Sequence, residues 1–122
     1  AEFARELIPQ ADVKPYIDLP RMTEIATQML DDSITAFINE DTKLGREICQ
    51  RDDIVDKLND QIIRELITYM LSDPKTINRA ILIIRVSENV ERIADQATNI
   101  GEYVVYIGEG KVIKHHHFEE EN

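Results

Sequence analysis

The sequence predicts an all-α protein, an antiparallel up-down-up three-helix bundle, and four observations carry that expectation. Apolar residues recur at alternating steps of three and four over long stretches, the spacing of a single helix face. Glycine and proline are scarce, four of each in 122 residues, so few positions interrupt a helix. The apolar residues are mostly Ile, Leu, Val, Ala and Met, with no Trp, a composition suited to helix-on-helix packing. The turns between the periodic stretches are very short, and short turns make consecutive helices antiparallel neighbours.

Residues 1–8 read as a helical fragment ending at Pro9, and residues 11–19, with Pro15, as an extended linker that ends in a helix start. The first full helix is expected to begin at Asp18, a good N-cap, with Pro20 in the first turn where a missing N–H is harmless. Its seam is Met22, Ile25, Met29, Ser33, Ala36 or Phe37 and Glu40, widened by Ala26, Leu30 and Ile34, and it should reach Asn39.

Asp41 can cap a second helix over residues 42–72, where Leu44, Ile48, Val55, Leu58, Ile62, Leu66 and Tyr69 keep helical spacing. Asp73 and Pro74 then supply a cap and a first-turn proline for the next helix. That third helix should span residues 75–107, on a seam of Ile83, Val86, Val90, Ile93, Ala97, Ile100, Val104 and Ile107. Gly108, backed by Gly110, reads as its stop. Residues 111–115 are short enough to pack back on the bundle. His115, His116 and His117 fall in a polar tail, where adjacent histidines lack the fixed partners a metal site needs. The chain therefore divides into residues 1–19, a preceding helix end plus linker; 20–108, the bundle; and 109–122, a C-terminal extension.

Composition narrows function. The net charge is −10 and no basic stripe is present, which argues against binding nucleic acid or anionic lipid and suits basic protein surfaces or metal cations. No apolar run approaches the roughly 18 residues of a membrane span, and no signal peptide is evident. The lone cysteine, Cys49, fits a reducing compartment, hence a cytoplasmic location, and is expected to be a buried structural thiol at the edge of an apolar stripe.

Beside the third seam runs a second line, Glu88, Glu91, Asp95, Asn99 and Glu102, stacked on one face. Like charges at i,i+4 cost a helix about 0.2–0.5 kcal/mol per pair, so Glu91 and Asp95 imply either screening by water or a cation. The second helix has its own pair, Asp52 and Asp56, and Asp52 shares a line with Ile48, Val55, Asn59 and Ile62, an odd place for a lone charge. Asp56 lies 17 residues before Asp73, and Glu91 lies 17 after Pro74. The two pairs should therefore come level on neighbouring antiparallel helices. Four carboxylates at one level would form a hard oxygen site for Mg, Mn, Ca or iron. The competing reading is two unrelated acidic patches, or ordinary helix ion pairs such as Glu88–Arg92.

These residues carry a resemblance. D-D-I-V-D (52–56), D-P (73–74), E-R-I-A-D-Q-A-T-N-I-G-E-Y-V-V-Y (91–106) and G-K-V-I-K-H (110–115), with K-P-Y-I-D-L-P-R-M (14–22), resemble the PhoU family of bacterial phosphate-signalling regulators. The likeness covers residues 14–115 and implies one three-helix repeat of a two-repeat protein, the C-terminal one. It implies that Asp52, Asp56, Glu91 and Asp95 are metal ligands, with Asn99 a neighbour, for a divalent or iron-type ion. It implies an adaptor that represses phosphate uptake and phosphate-starvation signalling. The implied partners are the phosphate ABC transporter's ATPase subunit and a sensor histidine kinase. A chain of one repeat would also be expected to form a homodimer. One departure stands out: Gln96 occupies a position where the family usually carries His. Two other classes remain. A structural helical interaction module would leave the four carboxylates simply solvated. A carboxylate-bridged metal oxidase would need Glu-x-x-His pairs, and no nucleophile–base pair or phosphate loop supports an enzyme.

Overall fold

The computed structural model describes residues 15–121 as backbone and the side chains of residues 18–111. The expected fragment over residues 1–8 lies outside the described residues, as do residues 11–14 of the linker; residues 15–19, expected to be extended, are helical. Three helices follow one another: α1 Pro15–Asn39, α2 Thr42–Ser72 and α3 Ile77–Glu121, with a 3₁₀ turn, Pro74–Thr76, leading into α3. Each packs on the other two, and no strand occurs among the described residues. The all-α three-helix bundle is therefore the fold.

The core follows from spacing. On α2, Gly45, Ile48, Val55, Asn59, Ile62 and Leu66 are buried, and Asp52 completes their alternation of three and four. On α3 the buried line is Ala80, Ile83, Ser87, Val90, Ala94, Ala97, Gly101 and Val104, the same alternation. Met22, Ala26, Met29, Ser33 and Ala36 supply the α1 side. The seam expected on α3 was rotated slightly toward its larger residues. Val86, Ile93 and Ile100 only flank the core, while Ala94 and Gly101 sit inside it. Phe37 and Ile34 are exposed, so Ala36 fills the place that Ala36 and Phe37 shared as candidates.

The turns are built as their residues suggest. Asp41 accepts the Leu44 N–H at 3.1 Å and caps α2. Glu40 closes α1 in the left-handed region, φ 53°, with the Asp41 N–H on Ala36 O and the Glu40 N–H on Phe37 O, the paired bonds of a helix C-terminal motif. Asp73 caps the 3₁₀ turn through the Lys75 N–H at 3.1 Å. Asp41→Ala is expected to cost about 1 kcal/mol, read as a lowered urea midpoint with unchanged slope.

Two helix bounds need correcting. α1 starts at Pro15, ahead of Asp18, so Asp18 is inside the first turn with Pro20 within the helix. Proline's fixed φ is already helical, and the loss of one backbone bond near the start is tolerated because packing of the apolar face holds the helix. The third helix does not stop at Ile107. It runs through Gly108 and Gly110 to Glu121, because a glycine costs a helix about 1 kcal/mol without forbidding it. Ion pairs tie this part of α3 to the facing turn: Arg46–Glu109 at 2.5 Å and Lys111–Glu40 at 2.5 Å. Both pairs are exposed and are worth at most about 1 kcal/mol each. His115–His117 consequently lie on helical backbone, not in an irregular tail.

Candidate metal centre

The α2–α3 pair holds the site. Asp52 stands in α2's core register, one turn from Val55, and the buried register of α3 around its Glu91–Asp95 pair carries small residues, Ala94 and Ala97. About two turns of α2 nearer its N-terminus, at Gly45, the helices nearly touch. A Cβ on Gly101 would lie 2.9 Å from the Gly45 carbonyl oxygen, and one on Gly45 would lie 2.8 Å from that of Gly101. With the helices this close, the two acidic pairs face the seam between α2 and α3.

Asp52, Asp56 and Asp95 each bring a carboxylate oxygen within 4.8 Å of the other two. One oxygen of Asp52, Oδ1, is buried and has no hydrogen-bond partner. Glu91 is half-buried and is not in this tight trio. It accepts a hydrogen bond from Asn59 Nδ2 instead. Thr98 donates to the Ala94 carbonyl at 2.9 Å and lies close to Asp52.

Charge is concentrated here, and none of the ion pairs among the described residues reaches these carboxylates. Burial raises the Asp52 carboxyl above the usual range, with Asp95 adding to it and the nearby Thr98 hydroxyl opposing. Burial raises Asp56, followed by Asp52 and Asp95. Burial raises Glu91, followed by Asp95, Asp56 and Asp52. Carboxyls whose folded pKa exceeds the unfolded value hold protons more tightly when folded. Their contribution to stability is complete below the unfolded carboxylate range, about 4, and is lost as pH rises through the folded values. Cation-free protein is therefore expected to lose stability relative to a variant with amides at the four positions as pH rises from about 4 toward neutrality. Denaturant midpoints of the two proteins measured side by side across that range check this. A constant difference would refute it.

The donor set fits a hard cation. Oxygens on opposite sides of one Mg, Mn or Ca ion are separated by about twice the metal–oxygen distance, roughly 4–5 Å. The spread of the trio matches that span, and an unpartnered buried carboxylate oxygen is the kind of group a cation satisfies. Asp52, Asp56 and Asp95 would hold the ion, with Glu91 one turn from Asp95. Its chemistry would be charge neutralisation and a cross-link between two helices.

Other expectations fare differently. Asn99 is exposed and outside the trio, as are Glu88 and Glu102. Arg51 pairs with Asp32 at 2.7 Å, and Glu88–Arg92 is not among the ion pairs of the described residues. Cys49 is half-buried, not fully enclosed. Its thiol lies 3.9 Å from the Thr98 carbonyl, and burial, then Glu102 and Asp52, push its pKa up. It is therefore a poor nucleophile. Gln96 is exposed. Sequence reasoning missed Thr98 and Ser87. Ser87 could have been found as the one hydroxyl between Ile83 and Val90 in the α3 register.

Fold and site together define a class: a three-helix bundle with a carboxylate seam between its second and third helices. Residues 19–104 match the family model described as PhoU domain. The chain belongs to the PhoU family. It is 42% identical over 120 residues to a phosphate-specific transport system accessory protein PhoU homolog of Aquifex aeolicus, covering 98% of this chain and 54% of that protein. PhoU homolog 2 of Thermotoga maritima is 36% identical over 119 residues, 98% of this chain and 51% of its own length. The Deinococcus radiodurans homolog is 38% identical over 106 residues, 87% of this chain and 50% of its own. The chain spans about half the length of these curated relatives.

Proposed function

We propose that this chain is a non-enzymatic regulatory module of phosphate transport that binds a divalent or iron-type cation through Asp52, Asp56 and Asp95, with Glu91 beside them. The observation carrying the cation is the carboxylate trio within 4.8 Å around a buried, unpartnered oxygen of Asp52. The transport role rests on relatives named as accessory proteins of phosphate-specific transport. The module acts as an adaptor that lowers phosphate uptake and phosphate-starvation signalling. Its partners are the phosphate ABC transporter's ATPase subunit and a sensor histidine kinase. An acidic helical surface steers toward basic patches on such partners, and cation occupancy changes the charge it presents. No helix among the described residues is long and apolar enough to cross a membrane.

Self-association belongs to the same reading: Phe37, Ile38, Tyr103 and Tyr106 are large and exposed, with the Phe37 and Tyr103 rings 6.3 Å apart. Sedimentation equilibrium should give twice the 14.1 kDa monomer mass. The oxidase alternative gains nothing from the trio, whose donors are carboxylates alone.

The deciding experiment purifies the chain without chelator, measures its metals by elemental analysis, and tests capture of the two partners with and without added cation. Bound metal and cation-sensitive capture are expected. Metal-free protein that captures the partners equally well under both conditions would leave an interaction module without an ion site.

A further inference from the structure

A polar relay runs through the core between α2 and α3 and ends on the carboxylate seam. Asn59 is 6% exposed and Ser87 is fully buried. Ser87 Oγ donates to Asn59 Oδ1 at 2.6 Å, and its other neighbouring acceptor is the Met22 sulfur at 3.6 Å. The amide oxygen is the stronger acceptor, so the hydroxyl proton goes there. That commitment fixes the amide. With Oδ1 held by Ser87, Nδ2 faces Glu91 and donates to its carboxylate. The reverse orientation would set the amide oxygen against the carboxylate and leave two acceptors without a proton between them.

Burying two polar side chains in a core of Ile, Val and Met brings no stability that apolar residues of the same shape would not match. The relay's product is an orientation. Glu91 sits at the rim of the Asp52–Asp56–Asp95 group, near enough that all three of those charges act on it. Its carboxylate is held by a neutral donor that takes one oxygen and leaves the other for a ligand.

We propose that Asn59, itself oriented by Ser87, is a positioning residue that holds the Glu91 carboxylate ready to join the aspartate trio on a bound divalent cation. The inference rests on the ion site proposed above. Partners that orient a metal ligand are typically worth about 10–100-fold in metal affinity, and Asn59 is expected to fall in that range. Ser87→Ala, which frees the amide to turn, should cost less than Asn59→Leu.

The test titrates Mn²⁺ into the chelator-stripped 122-residue chain by calorimetry, for wild type, Asn59→Leu, Ser87→Ala, Glu91→Ala and the two double variants with Glu91→Ala. Circular dichroism on each sample checks folding, and Asn59→Thr, which restores a donor, serves as the conservative variant. The proposal expects 10–100-fold weaker Mn²⁺ binding in Asn59→Leu and smaller losses in Ser87→Ala and Asn59→Thr. It expects no further loss from either relay substitution once Glu91 is Ala, because the relay acts only through that carboxylate. Wild-type affinity in Asn59→Leu, or a loss that simply adds to that of Glu91→Ala, overturns the positioning role while leaving the ion site standing. Should Asn59→Leu fail to fold, Ser87→Ala against Glu91→Ala decides by the same criterion. A wild-type chain that takes up no Mn²⁺ overturns both the positioning role and the site.

Discussion

Replacing Asp52, Asp56, Glu91 and Asp95 with Asn, Asn, Gln and Asn is expected to abolish cation binding and, without any cation, to stabilise the fold. Both effects come from the same groups. The trio lies within 4.8 Å, and the ion pairs of the described residues reach none of its members. Unfolding lets these like charges separate, so the metal-free protein carries a repulsion that the amide variant lacks. A cation reverses the sign for the wild type alone. At a hundred times its dissociation constant, a ligand specific to the native state adds about 2.7 kcal/mol, roughly 10 °C in melting temperature for a chain of this size. Thermal melts of both proteins in chelator and in excess Mg²⁺, Mn²⁺ or Ca²⁺ should therefore cross over: variant higher in chelator, wild type higher with the ion. A variant that melts lower in both conditions would mean that the carboxylates serve packing or hydrogen bonding, not an ion.

Gly101→Val and Gly45→Val are expected to destabilise the bundle strongly, far more than substitution at Gly110. A Cβ at either position meets a backbone carbonyl oxygen of the other helix at 2.9 or 2.8 Å. Backbone cannot rotate aside as a flexible side chain can, so the helices must separate. Overpacking of this kind costs about 1–3 kcal/mol. Valine, with two more methyls and a restricted χ1, should fall at the top of that range. Alanine regains about 1 kcal/mol of helix propensity, which makes Gly101→Ala the milder member of the series. Gly110 supplies the control, since a Cβ there meets nothing within 4 Å. Gly110→Ala should stabilise α3 by up to about 1 kcal/mol. Urea midpoints for the four variants test the order; equal effects at Gly101 and Gly110 would deny that α2 and α3 approach as closely as they do. Separating these helices also widens the seam, so cation affinity should fall with stability at Gly101 and Gly45 but not at Gly110.

The carboxylate positions were legible because a helix converts spacing into direction. Asp52 and Asp56 one turn apart, with Glu91 and Asp95 at a matching distance from the Asp73–Pro74 turn, place two acidic pairs level. Glu91 shows where that counting loses resolution. It is level with the others, but a hydrogen bond from the buried Asn59 holds it at the rim, and nothing in α3's own sequence announces a partner 32 residues away. The end of α3 was misjudged for a related reason. Gly108 reads as a stop when α3 is considered alone. In the bundle the helix continues past it, and its Glu109 and Lys111 pair across to Arg46 near the start of α2 and to Glu40 in the α1–α2 turn.

By itself, then, the chain determined its three helices, their capped turns, their antiparallel order and the level at which its acids meet, because those depend on local periodicity and on counting along a rod. Only the tertiary structure decided which small residues let two rods touch, which carboxylates share one space, and which core amide reaches them. Those are distances between side chains on different helices, set by packing volume, and no single helix encodes them.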